Sequence, residues 1–573
     1  MFLNDSKSDT GPDIVNLFAD HFGSVYDKNN EVLLNDYFDD CIDKLVNINS
    51  LSIGVGQVFK HINELKNSLS VGPDGIPSFL LKQCVYALSV PLQKIFSLSL
   101  SSGSFPQQWK YSYVCPIHKS GNKSDITNYR PISIISHIPK IFESIITNMI
   151  STLFKYVISE NQHGFFAARS ACTNLLCYQN KILNAFDKGH QIDSVYTDFS
   201  KAFDKVNHQV LLMKLSNNGL SGPLLSWFKT YLSERFQIIR YKNYYSRPIH
   251  VTSGVPQGAH LAPLLFSLFI NDIKDVILFS DILLFADDIK IYRPITSLDD
   301  CYKLQMDLNS LNLWCSKNKM SLNVNKCKSM SFYKIRSPII FQYHIDNCDL
   351  DRVAAVVDLG VLFTHDLNFK AHINNICNRA LRSLGFVTRN TGDFSDAGTI
   401  RAIYFSIVRS LLEYCTPIWT PYQTTLTNKI EKINQKFLRL LKFKNYLSHV
   451  DSYLSLLEIF NTQTLASRRF YHDMMLLYKI INGLIDCSYL LQNLYLNIPS
   501  MNTRNPLTFS IKSQRTNYLK FGPINRIVTT ANTFADIEFF GINEAKFKKS
   551  IDCEVRKRDI HYYRNEHKGL FVG

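Results

Sequence analysis

Three carboxylates stand in apolar surroundings where carboxylates are costly. Asp198 follows Ser194-Val195-Tyr196-Thr197, and about ninety residues later Asp287-Asp288 lies between Ile282-Leu283-Leu284-Phe285 and Ile289-Lys290-Ile291-Tyr292. Two apolar runs joined by a short break read as a β-hairpin with both acids near its tip. Charges placed there need a cation beside them. Hard carboxylate oxygens suit Mg2+, with Mn2+ as a substitute. Two such ions roughly 3.5–4 Å apart activate a hydroxyl and stabilise both oxygens of an in-line phosphoryl displacement. The chemistry these residue types point to is therefore nucleotidyl transfer. The chain supplies its own controls: Asp39-Asp40 and Asp299-Asp300 are also paired, but their polar flanks read as helix starts or turns.

The elements that must position these acids are read from composition and periodicity. With 573 residues, 46% hydrophobic and 19% charged, the chain is an ordinary folded protein of two to four domains rather than a disordered one. A net charge of +15 favours a polyanionic partner, and about three-quarters of the excess falls after residue 380. Thirteen cysteines without a Cys-x-x-Cys predict reduced thiols, no disulfide framework, no zinc knuckle, and a nuclear or cytoplasmic location. The N-terminus lacks the plan of a signal peptide, and no run of eighteen apolar residues predicts a membrane span. Helical spacing marks a lead-in from Asp13 to Leu65, and Ser70 to Pro77 is a dense turn signal. Helices are expected near 88–100 and 139–153. Strand signals cluster from Ser194 to Tyr292 between helical stretches, which predicts a sheet with helices on one face. A further strand pair is expected near 329–333 and 359–363, followed by an almost wholly helical region to about Leu491.

Several motifs then appear in a fixed order. They are Gly72-Pro73-Asp74-Gly75-Ile76-Pro77, Pro116-Ile117-His118-Lys119 with Asn128-Tyr129-Arg130-Pro131, Gln162-His163-Gly164-Phe165-Phe166 through Ser170, Asp198-Phe199-Ser200-Lys201-Ala202-Phe203, Ser253-Gly254-Val255-Pro256-Gln257-Gly258, and Phe285-Ala286-Asp287-Asp288. Together they resemble the reverse transcriptase of non-long-terminal-repeat retrotransposons, the LINE-like elements of the jockey type, over about residues 60–490. The resemblance implies an α+β right-hand polymerase of fingers, palm and thumb with a mostly helical C-terminal region. The expected division is a helical lead-in over 1–65, fingers and palm over 66–366, a thumb over 367–455 and a basic C-terminal region over 456–573.

By that resemblance, Asp198, Asp287 and Asp288 bind two Mg2+ ions, with the Phe199 carbonyl as a further ligand, and Lys326 is the candidate general acid toward departing pyrophosphate. Lys119, Arg130, Phe203, Gln257 and Gly258 are implied to meet the deoxynucleoside triphosphate, with Phe203 excluding a ribose 2′-hydroxyl. Arg169, Ser170, Gly254, Pro256, Leu359 and Gly360 are implied to contact template or primer. The implied partners are an RNA template, a DNA primer or target DNA and deoxynucleotides. The family carries an endonuclease ahead of the polymerase; this chain is expected to lack it, and whether one is supplied in trans is left open. The chain departs from the family pattern at Ala168, Ala259, Ala262 and Asp358. Those departures leave a second reading open, a decayed element retained as a nucleic-acid-binding protein.

Overall fold

The computed structural model describes residues 1–3, 6–27, 47–394, 396–450, 452–497, 507–511, 514–534 and 537–566. The middle of the expected lead-in, with Asp39-Asp40, lies outside the described residues. In chain order the strands around the site are β1 (Tyr111–His118), β2 (Tyr129–Ile134), β3 (Gln191–Thr197), β4 (Arg235–Tyr241), β5 (Tyr244–Val251), β6 (Asp281–Phe285), β7 (Asp288–Ile295), β8 (Lys328–Phe332), β9 (Ala355–Asp358) and β10 (Val361–Thr364).

Two sheets carry all of them but β9 and β10. The palm sheet runs Asp351–Arg352, β8, β3, β7, β6, and the fingers sheet runs β2, β1, β4, β5. In the palm, β3 lies antiparallel between β8 and β7, with Thr197 opposite Ile289 and Tyr196 opposite Lys328. In the fingers, β1 pairs in parallel with β4, across more than a hundred residues of chain. Short hairpins alone cannot build such a sheet, because a parallel pair needs a crossover. The crossover here includes the helices His137–Leu153, Ala171–Asp187, His208–Asn217 and Gly222–Leu232.

The palm sheet is covered on both faces, a correction to the one-faced sheet expected from sequence. Val195, Leu284, Ile289 and Ile291 join a core with Phe142, Trp227 and Leu265. Ile192, Leu283, Tyr292, Met330 and Phe332 join a second core with Leu175, Tyr178 and Phe363. The reason lies in the side chains: Ile282-Leu283-Leu284 is apolar without alternation, the pattern of a strand buried on both faces. The second core continues through the helices Lys370–Asn390, Thr424–Lys444 and Leu465–Ile481 to Val555. The fold is thus mixed α/β, two sheets with helices around them and a further helical region packed behind the palm sheet.

The strand expected near 359–363 is also corrected. Leu359 and Gly360 are the turn of a separate hairpin, β9–β10, with φ values of 44° and 85°. β8, read as its partner, pairs instead with β3. Among the described residues no helix is long and apolar enough to cross a membrane.

Candidate active site

The strand register brings the acids together. Thr197 faces Ile289 across β3 and β7, so one residue further Asp198 comes opposite Asp288. Directly opposed residues on antiparallel strands stand about 4.5–5.5 Å apart. Asp287 is the second residue of the two-residue loop between Phe285 and Asp288, and Ala286 turns the chain with a φ of 57°. That left-handed turn is braced from below. The Gln162 side-chain carbonyl accepts from Ala286 N–H at 3.0 Å and from Gly164 N–H at 2.8 Å. His163 N–H bonds to Leu284 O, and Leu284 N–H to Asn161 O, so residues 161–163 form an extra edge on β6. A side chain at Gly164 would collide with the backbone of Ala286.

Electrostatics mark the same cluster. The Asp288 carboxyl is pushed up to about 6 by burial, then by Asp287, Asp358 and Asp198, with Lys290 opposing. Asp287 is raised by burial and by Asp198, and lowered by Arg130 and Lys119. Mutual repulsion of this kind is what a shared divalent cation relieves. The donors fit Mg2+: three carboxylates, with the Phe199 carbonyl beside them. The Phe199–Leu322 bridge bonds Asn323 N–H to Asp198 O and Ser200 N–H to Ser321 O, leaving Phe199 O without a hydrogen bond from any described residue. Lys326 Nζ lies 2.8 Å from Asp198 Oδ2, so the candidate acid is a counter-charge on a candidate ligand.

Lys119 and Arg130 flank the loop end of the β1–β2 hairpin, exposed, with no hydrogen bond or ion pair to a described side chain. Both nevertheless act electrostatically on Asp287. Phe203 is half-buried, parallel to the Phe266 ring at 4.6 Å and edge-on to Phe165 at 5.9 Å. Gln257 Nε2 donates to Asp204 Oδ1 at 3.1 Å, and Gln257 O accepts from Ser133 N–H. Gly258 is exposed at a φ of 109°, and a Cβ there would stand 2.7 Å from Ser133 O. The loop is thereby drawn against β2.

Of the residues read as template or primer contacts, three are buried and a fourth, Ser170, is exposed at a helix cap. Arg169 is buried and spent: its guanidinium bonds to Ser159 O, Gln162 O, Asp486 O and the Asp486 carboxylate. A phosphate cannot reach it. Ser170 caps the Ala171–Asp187 helix, accepting from Thr173 N–H. Gly254 and Pro256 are buried, Gly254 bonding through N–H to Val206 O and through O to His208 Nε2. They shape the loop rather than touch a strand. Leu359 borders a cleft of about 370 Å³ lined by Asp198, Asp288, Lys326, Lys328 and Asp358, and Gly360 is the next residue of the same turn. Tyr414 supports this turn, donating from its hydroxyl to Leu359 O at 2.8 Å. Asp358 makes a buried ion pair with Lys290 of β7. Sequence reading placed Gln162 and Gly164 in a template-contacting segment and missed that they brace the Ala286 turn, and it gave Lys290 no role.

Residues 117–372 match the family model described as reverse transcriptase (RNA-dependent DNA polymerase). Similar curated proteins include a probable RNA-directed DNA polymerase from transposon X-element of Drosophila melanogaster, 28% identical over 73% of this chain and 47% of that protein. Another is the probable RNA-directed DNA polymerase from transposon BS of the same organism, 26% identical over 68% of this chain and 44% of that one. The RNA-directed DNA polymerase from mobile element jockey of Drosophila melanogaster is 28% identical over 61% of this chain and 39% of its own length. The chain spans less than half the length of these relatives.

Proposed function

We propose that this chain, which carries a reverse transcriptase domain of the non-long-terminal-repeat retrotransposon kind, copies RNA into DNA by extending a primer 3′-hydroxyl with deoxynucleoside triphosphates. The observation that carries the reading is Asp198 set opposite Asp288 with Asp287 at the adjoining hairpin tip, the charge of Asp198 raising the carboxyls of both Asp287 and Asp288. Mg2+ ions bound by these carboxylates and the Phe199 carbonyl would supply activation of the primer hydroxyl and stabilisation of phosphate charge.

The chain's own residues do the rest. Arg130 offers a planar fork and Lys119 a mobile point charge, a pairing suited to a triphosphate reaching over Asp287. Phe203 walls the sugar side. Lys326 is within reach of the metal ligands and donates a proton toward departing pyrophosphate. The β9–β10 turn holds the primer end. Catalysis here is positioning and electrostatic stabilisation more than covalent chemistry.

Primer extension on an RNA template with Mg2+ and deoxynucleotides tests the reading. The chain is expected to extend the primer, and Asp287→Asn to lose at least about 10³-fold in rate while keeping its fold and RNA affinity. An Asp287→Asn variant as active as the parent would remove the assigned metal site. Tight RNA binding with no extension by the parent would favour the decayed, binding-only element.

A further inference from the structure

We propose that His163, Cys177 and Cys487 form a zinc site that fastens the helical region behind the palm to the strand leading into Asp287 and Asp288. An imidazole nitrogen and the two sulfurs lie within 4.8 Å of one another, and the sulfurs are 3.4 Å apart. Each ligand comes from a different element. His163 belongs to the segment paired with β6, Cys177 to the Ala171–Asp187 helix, and Cys487 is the residue capping the Ser488–Gln492 helix. A pair of cysteines 310 residues apart leaves no spacing motif in the sequence.

Hydrogen bonding fixes the imidazole in a form that can ligate. The Thr173 hydroxyl gives its one proton to Ser170 O at 2.8 Å and accepts from Ser170 N–H at 2.9 Å. Its remaining contact, 2.8 Å to His163 Nδ1, must therefore run from the ring, so Nδ1 carries the proton. Nε2 keeps its lone pair and has no hydrogen-bond partner among the described residues. Ligating histidines are held in this way, through a bond from the other ring nitrogen to an oxygen.

The surroundings suit a dication bound by soft donors. His163 is 2% exposed and Cys177 5%. Two thiolates and a neutral imidazole balance one Zn2+, so the site buries no net charge, and the two thiol protons leave to solvent. Sulfur and imidazole select zinc over the magnesium class. Cys487 also lines a cleft of about 640 Å³ with Phe166, Ala168 and Asp486, through which water reaches the fourth coordination position. The Cys487 side is held in place: Asp486 N–H bonds to Ala168 O at 3.1 Å, Arg169 grips Asp486, and Asn180 donates to Tyr489 Oη at 2.9 Å.

The test reads metal rather than DNA synthesis, so it stands apart from the polymerase reading. The full chain, purified under reductant from zinc-supplemented cells, is assayed by plasma mass spectrometry. About one zinc per chain is expected, falling below about a tenth in Cys487→Ser, whose partly exposed position makes it the mildest change, and in His163→Asn. Cobalt exchanged into the parent is expected to show the visible bands of tetrahedral thiolate-bound Co2+. That measurement needs no variant to fold. A zinc-free parent overturns the proposal, whether Cys177 and Cys487 are then both open to alkylation or are recovered as a disulfide. Zinc that persists undiminished in the folded Cys487→Ser and His163→Asn chains overturns it equally.

Discussion

Phe203 is gripped on two sides, by Phe266 beneath and Phe165 at its edge, so its ring cannot swing away from a sugar pressed against it. Truncation to alanine opens that wall. Phe203→Ala is expected to raise the ribonucleotide-to-deoxynucleotide ratio of kcat/KM by at least about tenfold in single-nucleotide addition. An unchanged ratio would make Phe203 a core residue only. Ala168 offers a test of stability. Its φ of 65° is a left-handed conformation that costs an L side chain about 1–2 kcal/mol, and its carbonyl is held by Asp486 N–H. Glycine relieves that strain but adds unfolded-state entropy worth about 0.4–1 kcal/mol. Ala168→Gly should therefore stabilise the chain by about 0.5–1 kcal/mol, read as a rise in denaturant midpoint at constant slope. At this scale the acids were legible because apolar flanks made them anomalous. Arg169 was not, because the carboxylate that occupies it, Asp486, lies 317 residues away. Nor does a Gly/Pro-rich loop announce which of its residues are buried, as Gly254 and Pro256 are.

Two hairpins have to be held at a fixed relation, β6–β7 with the acids and β9–β10 with the turn proposed to hold the primer. Lys290 and Asp358 join them, with side chains 5% and 6% exposed, and the Lys290 ammonium also sits 4.6 Å from the Tyr178 ring centroid. Lys290 is two residues beyond Asp288 on β7, hence on the same face of the strand. Removing either partner leaves an unpaired buried charge, at a cost of about 3–5 kcal/mol, whereas replacing both with apolar residues of similar volume is often near neutral. Lys290→Met and Asp358→Leu are each expected to destabilise strongly, and the double variant to recover most of the loss. In the recovered double variant, a raised KM for primer-template with kcat retained would show that the pair sets hairpin position. Additive losses would deny the coupling. Strands β3, β6 and β7 could be read from their apolar runs, since local pattern suffices there. The β9–β10 register could not, because Leu359 and Gly360 look like strand residues until their positive φ values are seen. The parallel β1–β4 pair was equally hidden, being fixed by packing across the helices between them.

Across the whole molecule, charge and catalysis are separated. The acidic cluster sits in the palm, while the cationic excess lies mostly after residue 380. The Thr424–Lys444 helix buries Ile430, Ile433, Phe437 and Leu441 and exposes Lys432, Lys436 and Arg439 along its opposite face. It packs on the Lys370–Asn390 helix, which exposes Arg379 and Arg382. Lys432, Lys436 and Arg439 make no ion pair with a described carboxylate. Cations left unpaired at helical spacing are placed to follow a phosphate backbone, which rewards them through release of counterions. An A-form-like template–primer duplex is read in this way, by shape and backbone contacts. Changing all three to glutamine is expected to weaken duplex binding at low salt. It should also flatten the plot of log affinity against log salt by about 2–3, since each lost phosphate contact removes roughly 0.7–0.9 from the slope. Single-turnover extension of duplex already bound should keep its rate, because none of the three residues approaches Asp198, Asp287 or Asp288 in the packing of the fold. Should the slope stay unchanged, this face looks onto solvent, and the basic residues beyond Arg515 become the candidates for holding the nucleic acid.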